Sequence, residues 1–144
     1  MAEFVLARLA EDEAVARETP GVRAWECDPH PARPVIAQVV SSDGALASEV
    51  LTSDAQHIAR WDPARVLADI EAKRRIVEIH HPHDHGGEHG EAVFCNECQW
   101  DHGDDEPRID NQPVEGFGTH PCQTLLALAL PDAGHPDFKD EWLV

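Results

Sequence analysis

The stretch that decides the fold is residues 62–80, DPARVLADIEAKRRIVEIH. Aspartate followed by proline is typical of a helix start, because aspartate accepts hydrogen bonds from free amides and proline fits the first helical position. Apolar residues such as Ile70 and Val77 then recur at helical spacing. Pro82 disfavours helical backbone at the residue before it. The sequence therefore predicts one long helix that ends near His80.

The elements before this helix predict helices combined with a small sheet. Residues 3–18 contain no Gly or Pro and repeat apolar side chains near helical spacing, which predicts an amphipathic helix. Three short apolar runs separated by turn residues are typical of an antiparallel meander. The predicted strands are residues 22–26, 35–40 and 46–51. Ser53 followed by Gln56 matches a capping box and predicts a short helix over residues 54–60.

The segment after the long helix has a different composition. Residues 81–120 are rich in Gly, His, Asp, Glu and Pro and show little hydrophobic periodicity. A stretch of this length without periodicity is uncommon in a compact domain, so something other than an apolar core is expected to organise it. Helical character returns over residues 121–130, and a last short helix is predicted over residues 137–143, with Phe138 and Trp142 facing inward.

Cysteine spacing indicates what organises this segment. Cys95-Asn96-Glu97-Cys98 is a CxxC pair, which lets two thiolates of one tight turn reach the same zinc ion at about 2.3 Å. Cys122 lies just inside the predicted C-terminal helix, where free amides and the helix dipole favour a thiolate. The sequence therefore predicts a structural Zn²⁺ site. Cys27, at the end of a predicted strand, is interpreted as a core or edge residue rather than a ligand.

The fourth ligand must come from a set of histidines, and the residues alone leave more than one open. The candidates are His80, His81, His83, His85, His89, His102 and His120. His80 ends a rigid helix and would tie the N-terminal half of the chain to the zinc loop, whereas His120 lies two residues before Cys122. The histidines from 80 to 89 also match a loop that scavenges divalent ions without fixed geometry. We rank His80 first and His120 as its main rival.

The same cysteines admit other chemistry. A thioredoxin-type pair would follow a strand–helix unit of a kind that does not precede this CxxC. A catalytic zinc keeps three protein ligands and a water, with a base such as Glu91 or Glu97. The stretches 83–85 and 89–91 loosely match the His-x-Glu element of zinc deaminases, but the CxxC pair lacks the proline that precedes it in that pattern. A structural site is the interpretation that we favour.

Charge is unevenly distributed along the chain, whose net charge is −17. Residues 1–79 carry 14 acidic and 9 basic side chains, whereas residues 80–144 carry 14 acidic and 2 basic ones. Such a field repels phosphate backbones and attracts basic proteins and cations. Direct nucleic-acid binding is therefore disfavoured, and a protein partner, such as a basic nucleic-acid-binding protein, is predicted.

Other surface features point to ordinary roles and to a compartment. The basic run at residues 73–75 is interpreted as a solvated helix face, and Trp61 and Trp100 as either partner anchors or core residues. The longest apolar run, residues 125–130, is far too short to cross a bilayer, and no export signal is visible. We expect a cytoplasmic protein without a membrane span.

Several stretches also resemble a known family. They are residues 55–67, AQHIARWDPARVL, residues 71–77, EAKRRIV, residues 121–125, PCQTL, and residues 135–138, HPDF, near Trp142. Over nearly the whole chain the sequence resembles an uncharacterised family of small proteins encoded by actinobacteria and their phages. That family has no established activity to transfer to this chain.

The resemblance also bears on the ligands. In the family pattern, a helix ending in Lys-Arg-Arg-Ile-Val is followed by a histidine, a CxxC pair and Pro-Cys. The resemblance therefore implies His80, Cys95, Cys98 and Cys122 as the metal ligands. The family position matching His120 is usually aromatic, which counts against that residue. The segment 81–91 is longer and richer in histidine than the corresponding segment of the family pattern. Additional or alternative metal ligands from this segment therefore stay open.

These predictions combine into one architecture and three candidate functions. The fold class is α+β, a small three-stranded antiparallel meander packed with helices plus a zinc-stapled C-terminal helical segment. Residues 1–80 are predicted to form the core, and residues 81–144 the zinc loop and the C-terminal helices that pack on it, as one structural unit. The favoured function is a non-enzymatic, zinc-stabilised, phage-type protein that binds a host or phage macromolecule. The alternatives are a zinc-dependent hydrolase or deaminase, and a metal-buffering protein that uses the His-rich loop.

Overall fold

A computed structural model of the protein describes residues 1–19, 24–84, 93–95, 97–98, 108–109, 112–113 and 120–143. Within these ranges the chain forms four α-helices, a three-stranded antiparallel sheet and two smaller antiparallel strand pairs. The predicted α+β class is confirmed. The chain has two compact units: Leu9–Ala72, here the sheet unit, and Met1–Arg8 with Lys73–Val144, here the terminal unit. The predicted domain boundary at residue 80 stays a prediction.

The helices and strands have the following bounds. The helices are α1 (Ala2–Glu18), α2 (Thr52–Arg60), α3 (Pro63–Ile79) and α4 (Gln123–Ala129), and 3₁₀ turns cover Leu130–Asp132 and Asp140–Trp142. The strands are β1 (Glu26–Pro29), β2 (Ile36–Ser41), β3 (Gly44–Leu51), β4 (Pro82–Asp84), β5 (Val93–Cys95), β6 (Arg108–Ile109) and β7 (Gln112–Pro113). None of the described helices combines the length and the apolar character that a membrane span requires.

The core of the sheet unit lies between the sheet and α2. The strands run in the order β1-β2-β3, so β2 is central. Ala37 and Val39 are two residues apart on β2 and therefore point to the same face, where they meet Ala55 of α2; all three are fully buried. Cys27 packs against this core, and its thiol lies 3.9 Å from the carbonyl oxygen of Thr52. The interpretation of Cys27 as a core or edge residue is confirmed.

Of the first predicted strand, residues 22–26, residues 22 and 23 lie outside the described residues, and within 24–26 only Glu26 belongs to a strand. β1 starts at Glu26 and runs through Pro29, because its pairing with β2 sets its ends. Proline cannot donate to a ladder but is tolerated at the edge of a sheet, where β1 lies. Pro29 ends the strand, and in the turn that follows the His30 amide donates to the Ile36 carbonyl at 2.9 Å.

Two irregularities interrupt the ladder between β2 and β3. The register shifts between Ala37 and Val39 and again between Val39 and Val40, and each shift places an extra residue on β3. Glu49 lies in the first of these bulges with φ 56°, a left-handed conformation that non-glycine residues seldom adopt. β3 is an edge strand of this sheet. Bulges and exposed charges at an edge oppose pairing with a strand of another chain.

The starts of α2 and α3 test two predicted caps. The capping box at Ser53 is wrong, because α2 already begins at Thr52 and no side chain caps it. The Thr52 hydroxyl instead donates to the carbonyl of Pro34 at 2.7 Å, which ties the helix start to the segment before β2. The cap of α3 is confirmed, since Asp62 Oδ1 accepts from the Arg65 amide at 2.7 Å.

Aromatic side chains hold the ends of the terminal unit together. Phe4 on α1 lies 5.8 Å from Phe138 and 5.2 Å from Trp142, measured between ring centroids, and the last two rings meet edge to face at 5.4 Å. Such pairs add about 0.5–1.5 kcal/mol each beyond the area that they bury. Buried Arg8 stacks over Phe4 and contacts His135. Phe138 and Trp142 pack inward as predicted, although the predicted helix there is reduced to a 3₁₀ turn.

Two surface features depart from or lie beyond the predictions. Lys73 and Arg74 are half-buried and only Arg75 of the basic run is exposed, so the solvated-face interpretation holds for one residue of three. Trp61 is 45% exposed, and the guanidinium of Arg65 lies 4.8 Å from its ring centroid. Trp100 lies outside the described residues.

Candidate metal centre

Four metal-ligating side chains converge within the terminal unit. His80 directly follows α3, Cys95 ends β5, Cys98 lies in the turn after β5, and Cys122 is the N-cap residue of α4. One ligand atom from each of the four lies within 4.8 Å of the others. Four separate segments of chain therefore meet at one point.

A short hairpin brings the first two ligands together. Pro82 ends the helical path after His80 and starts β4, which pairs with β5 in the register Pro82 opposite Cys95. Cys95 is thereby placed beside the end of α3, and Cys98 follows three residues later. We did not predict this hairpin, because strands of three residues are too short to show an alternating pattern.

The distances fit a tetrahedral metal ion. The Nδ1 atom of His80 lies 3.3 Å from the sulfur of Cys95 and 3.5 Å from the sulfurs of Cys98 and Cys122. A tetrahedral zinc with bonds of about 2.3 Å to sulfur and about 2.05 Å to nitrogen would separate nitrogen and sulfur by about 3.6 Å. One imidazole nitrogen makes a hydrogen bond to a single thiol, so three sulfurs around it exceed what hydrogen bonding explains. The four residues are arranged to hold a metal ion, and the arrangement is compatible with zinc.

Burial differs among the three sulfurs. Cys95 is fully buried and Cys122 is 4% exposed, whereas Cys98 is only half-buried, as is His80. Cys122 lies at the start of α4, and the fully buried side chain of Leu125 anchors that end of the helix. The site is thus shielded from water at Cys95 and Cys122 and partly accessible to water at Cys98, on the CxxC turn.

The thiols of the metal-free site have perturbed acidities. Burial, followed by hydrogen bonds and charge interactions with Cys95 and Cys122, raises the pKa of Cys98 to about 12. Burial also acts to raise the pKa of Cys122, but the amides of Leu125 and Thr124 and hydrogen bonds from the other two thiols outweigh it and lower that pKa. The amides do so although their geometry falls short of a regular side-chain cap. A metal ion that binds Cys98 must therefore displace its proton.

The other candidate histidines either lie outside the four-residue cluster or have side chains that the structure does not describe. His120 is not in the four-residue cluster; its ring is half-buried, and Nε2 has no hydrogen-bond partner among the described residues. Burial, and then the positive N-terminal amine and His81, lower the pKa of His120. His81 Nδ1 lies 3.0 Å from the carbonyl oxygen of Glu78 and donates to it. The remaining candidates fall outside the described side chains: His83, His85, His89 and His102.

Comparison with known proteins adds a family. A family model described as Family of unknown function (DUF6221) matches residues 1–144, the whole chain. The chain belongs to DUF6221. The predicted membership of an uncharacterised family is confirmed, and that description brings no activity to this DUF6221 protein. Neither the curated proteins nor the solved structures contain a match.

Proposed function

We propose that this DUF6221 protein is a non-enzymatic, zinc-stabilised protein that acts by binding a basic macromolecule. In this proposal Zn²⁺ is bound by His80, Cys95, Cys98 and Cys122 and staples the terminal unit. The observation that carries it is the set of three sulfurs at 3.3–3.5 Å from a single imidazole nitrogen. In this proposal the role of zinc is structural, and its binding energy contributes to folding.

The number of donors favours a structural over a catalytic ion. Four protein atoms complete a tetrahedron, whereas catalytic zinc keeps one position for water or substrate. Glu97, one of the two bases considered for a hydrolase or deaminase, is exposed on the CxxC turn. A hydrolase or deaminase would need one of the four residues to leave the ion during turnover. It therefore remains the weaker alternative.

Metal content and metal-dependent stability test the zinc. The purified chain is expected to contain one zinc per molecule by elemental analysis, and a strong chelator is expected to lower its melting temperature and loosen the terminal unit. Cys27→Ser is the matched control, because Cys27 packs in the sheet unit and should leave zinc content unchanged. A purified chain that contains no zinc, or one whose melting temperature does not change with the chelator, would refute the structural role of zinc.

The same titration tests the buffering alternative. His81, His83, His85 and His89 are closely spaced in sequence, and a His-rich loop can bind additional ions. Binding of a second zinc at micromolar affinity would favour metal buffering. A plateau at one zinc per chain favours the structural role.

Charge supports the choice of partner and source. A net charge of −17 favours association with a basic protein, such as a nucleic-acid-binding protein of the host, in a reducing cytoplasm that keeps thiols free for metal. The sequence resemblance supports an origin in an actinobacterium or its phage. The test is capture from actinobacterial lysate with the zinc-loaded chain. A basic partner that is retained at low salt and lost at high salt is expected, and recovery of none at low salt counts against this part of the proposal.

A further inference from the structure

We propose that Cys98 is an oxidation site at which peroxide releases the metal, through formation of a Cys95–Cys98 disulfide. This inference rests on the proposed function, because it requires that zinc be bound. It adds a chemical class of reactant, a small peroxide, and a defined product to a site that is otherwise a passive staple.

Unequal access to the three sulfurs carries the first step. Cys95 is fully buried and Cys122 is 4% exposed, so a reagent dissolved in water does not reach either sulfur without opening the fold. Cys98 is half-buried on the turn that follows β5. A zinc-bound sulfur is a thiolate, which is the form that attacks peroxide, and susceptibility follows exposure. The first oxidation is therefore directed to Cys98.

The reaction balances with peroxide as the only added reactant. The Cys98 sulfur attacks one peroxide oxygen, the O–O bond breaks, and a sulfenic acid and one hydroxide form. The Cys95 thiolate then attacks the sulfenic sulfur, which forms the S–S bond and expels the second hydroxide. Two thiolates have lost one electron each and peroxide has gained two; protons from water buffer convert both hydroxides to water.

Position in the chain selects Cys95 as the second thiolate. All three sulfurs lie within 4.8 Å of one another, but Cys95 ends β5 and Cys98 lies in the turn three residues later, so the chain can form this disulfide of about 2.05 Å by a local rearrangement of residues 95–98. Bonding to Cys122 would instead pull on the start of α4, which buried Leu125 holds in place. After the reaction only His80 and Cys122 remain as donors, and two donors do not retain zinc.

The experiment uses the zinc-loaded full chain. Hydrogen peroxide is added in the presence of a metallochromic dye, and the disulfides are mapped by mass spectrometry after alkylation in denaturant. One zinc is expected to leave per Cys95–Cys98 disulfide, and thiol reductant with added zinc should restore the site. Cys98→His keeps a fourth donor but no accessible thiolate, so we expect release to slow by about tenfold or more. Cys27→Ser should release zinc at the wild-type rate.

Three results would overturn the inference. They are a disulfide that joins Cys98 to Cys122, zinc release that precedes any modification of Cys98, and wild-type release from the Cys98→His variant. Should that variant bind no zinc, the order of alkylation of the three thiols in the wild type decides instead, and Cys98 must react first. A chain that never contains zinc refutes the proposed function, whereas a loaded chain that oxidises elsewhere refutes only this inference.

Discussion

The assignment of His80 as the fourth ligand predicts opposite outcomes for two alanine variants. In the proposed site His80 would supply one donor of four, and its Nδ1 atom lies near the tetrahedral separation from all three sulfurs. Structural zinc sites bind with about 10–16 kcal/mol, so an equal share is about 2.5–4 kcal/mol. At about 1.4 kcal/mol per factor of ten, His80→Ala is expected to weaken zinc binding by roughly 100- to 1,000-fold.

The matched variant is His120→Ala. His120 is the rival histidine by sequence, but its Nε2 atom has no hydrogen-bond partner among the described residues, so its removal leaves no polar group newly unpaired there. Because His120 supplies no atom to the four-residue cluster, we expect the zinc affinity of His120→Ala to stay within about threefold of wild type. A threefold change corresponds to about 0.7 kcal/mol.

Chelator competition measures both variants, and cobalt substitution reports the donor set. Loss of one nitrogen from a three-sulfur, one-nitrogen site should alter the ligand-field bands of Co²⁺ in His80→Ala but leave those of His120→Ala unchanged. Circular dichroism before and after metal addition separates weak binding from failure to fold. If His80→Ala binds zinc as tightly as wild type while His120→Ala loses it, the ligand assignment is refuted.

Three further predictions follow from named side chains. The pKa of about 12 at Cys98 means that zinc displaces at least one proton, so zinc affinity, corrected for protonation of the competing chelator, should fall by at least about tenfold for each unit that pH is lowered from 8 to 6; an affinity independent of pH contradicts this. Leu125→Ala, at a fully buried position, should lower the free energy of unfolding by about 2–5 kcal/mol in urea titration, against about 0.5 kcal/mol for Leu130→Ala at a 49%-exposed position. Glu49→Gly should be at least about 1 kcal/mol more stable than Glu49→Val, because only glycine adopts φ 56° without strain; equal melting temperatures would rule out that strain.

The elements whose signals are local could be predicted from the sequence. α3 needs only the Asp62 cap, helical periodicity and the proline after His80, all within one stretch. The CxxC pair and Cys122 likewise indicate a metal site, because cysteine at this spacing is a common zinc ligand. The competing histidines could not be separated by residue type, because His80 and His120 differ only in where the folded chain places their rings.

The elements that depend on distant partners could not be predicted. β1 begins and ends where β2 pairs with it, so the strand includes residues 27–29, which lie beyond the apolar run that predicted it. The start of α2 depends on a hydrogen bond from Thr52 to Pro34, 18 residues earlier, which outweighs the local capping pattern. The position of Cys122 as an N-cap, rather than inside α4, is a shift of one residue at a helix end, where local propensities are weakest.

The contacts of Phe4 set an order of events during synthesis. The sheet unit is contiguous, so all of its residues are available once residue 72 has left the ribosome. The terminal unit is split along the chain: its four candidate metal ligands are complete only with Cys122, and the aromatic partners of Phe4 are Phe138 and Trp142. Since chains leave the ribosome from the N-terminus at about 5–20 residues per second, the apolar first turn of α1 spends seconds without its aromatic partners. The first turn of α1 is thus accessible to chaperones and proteases until Phe138 and Trp142 have been synthesised.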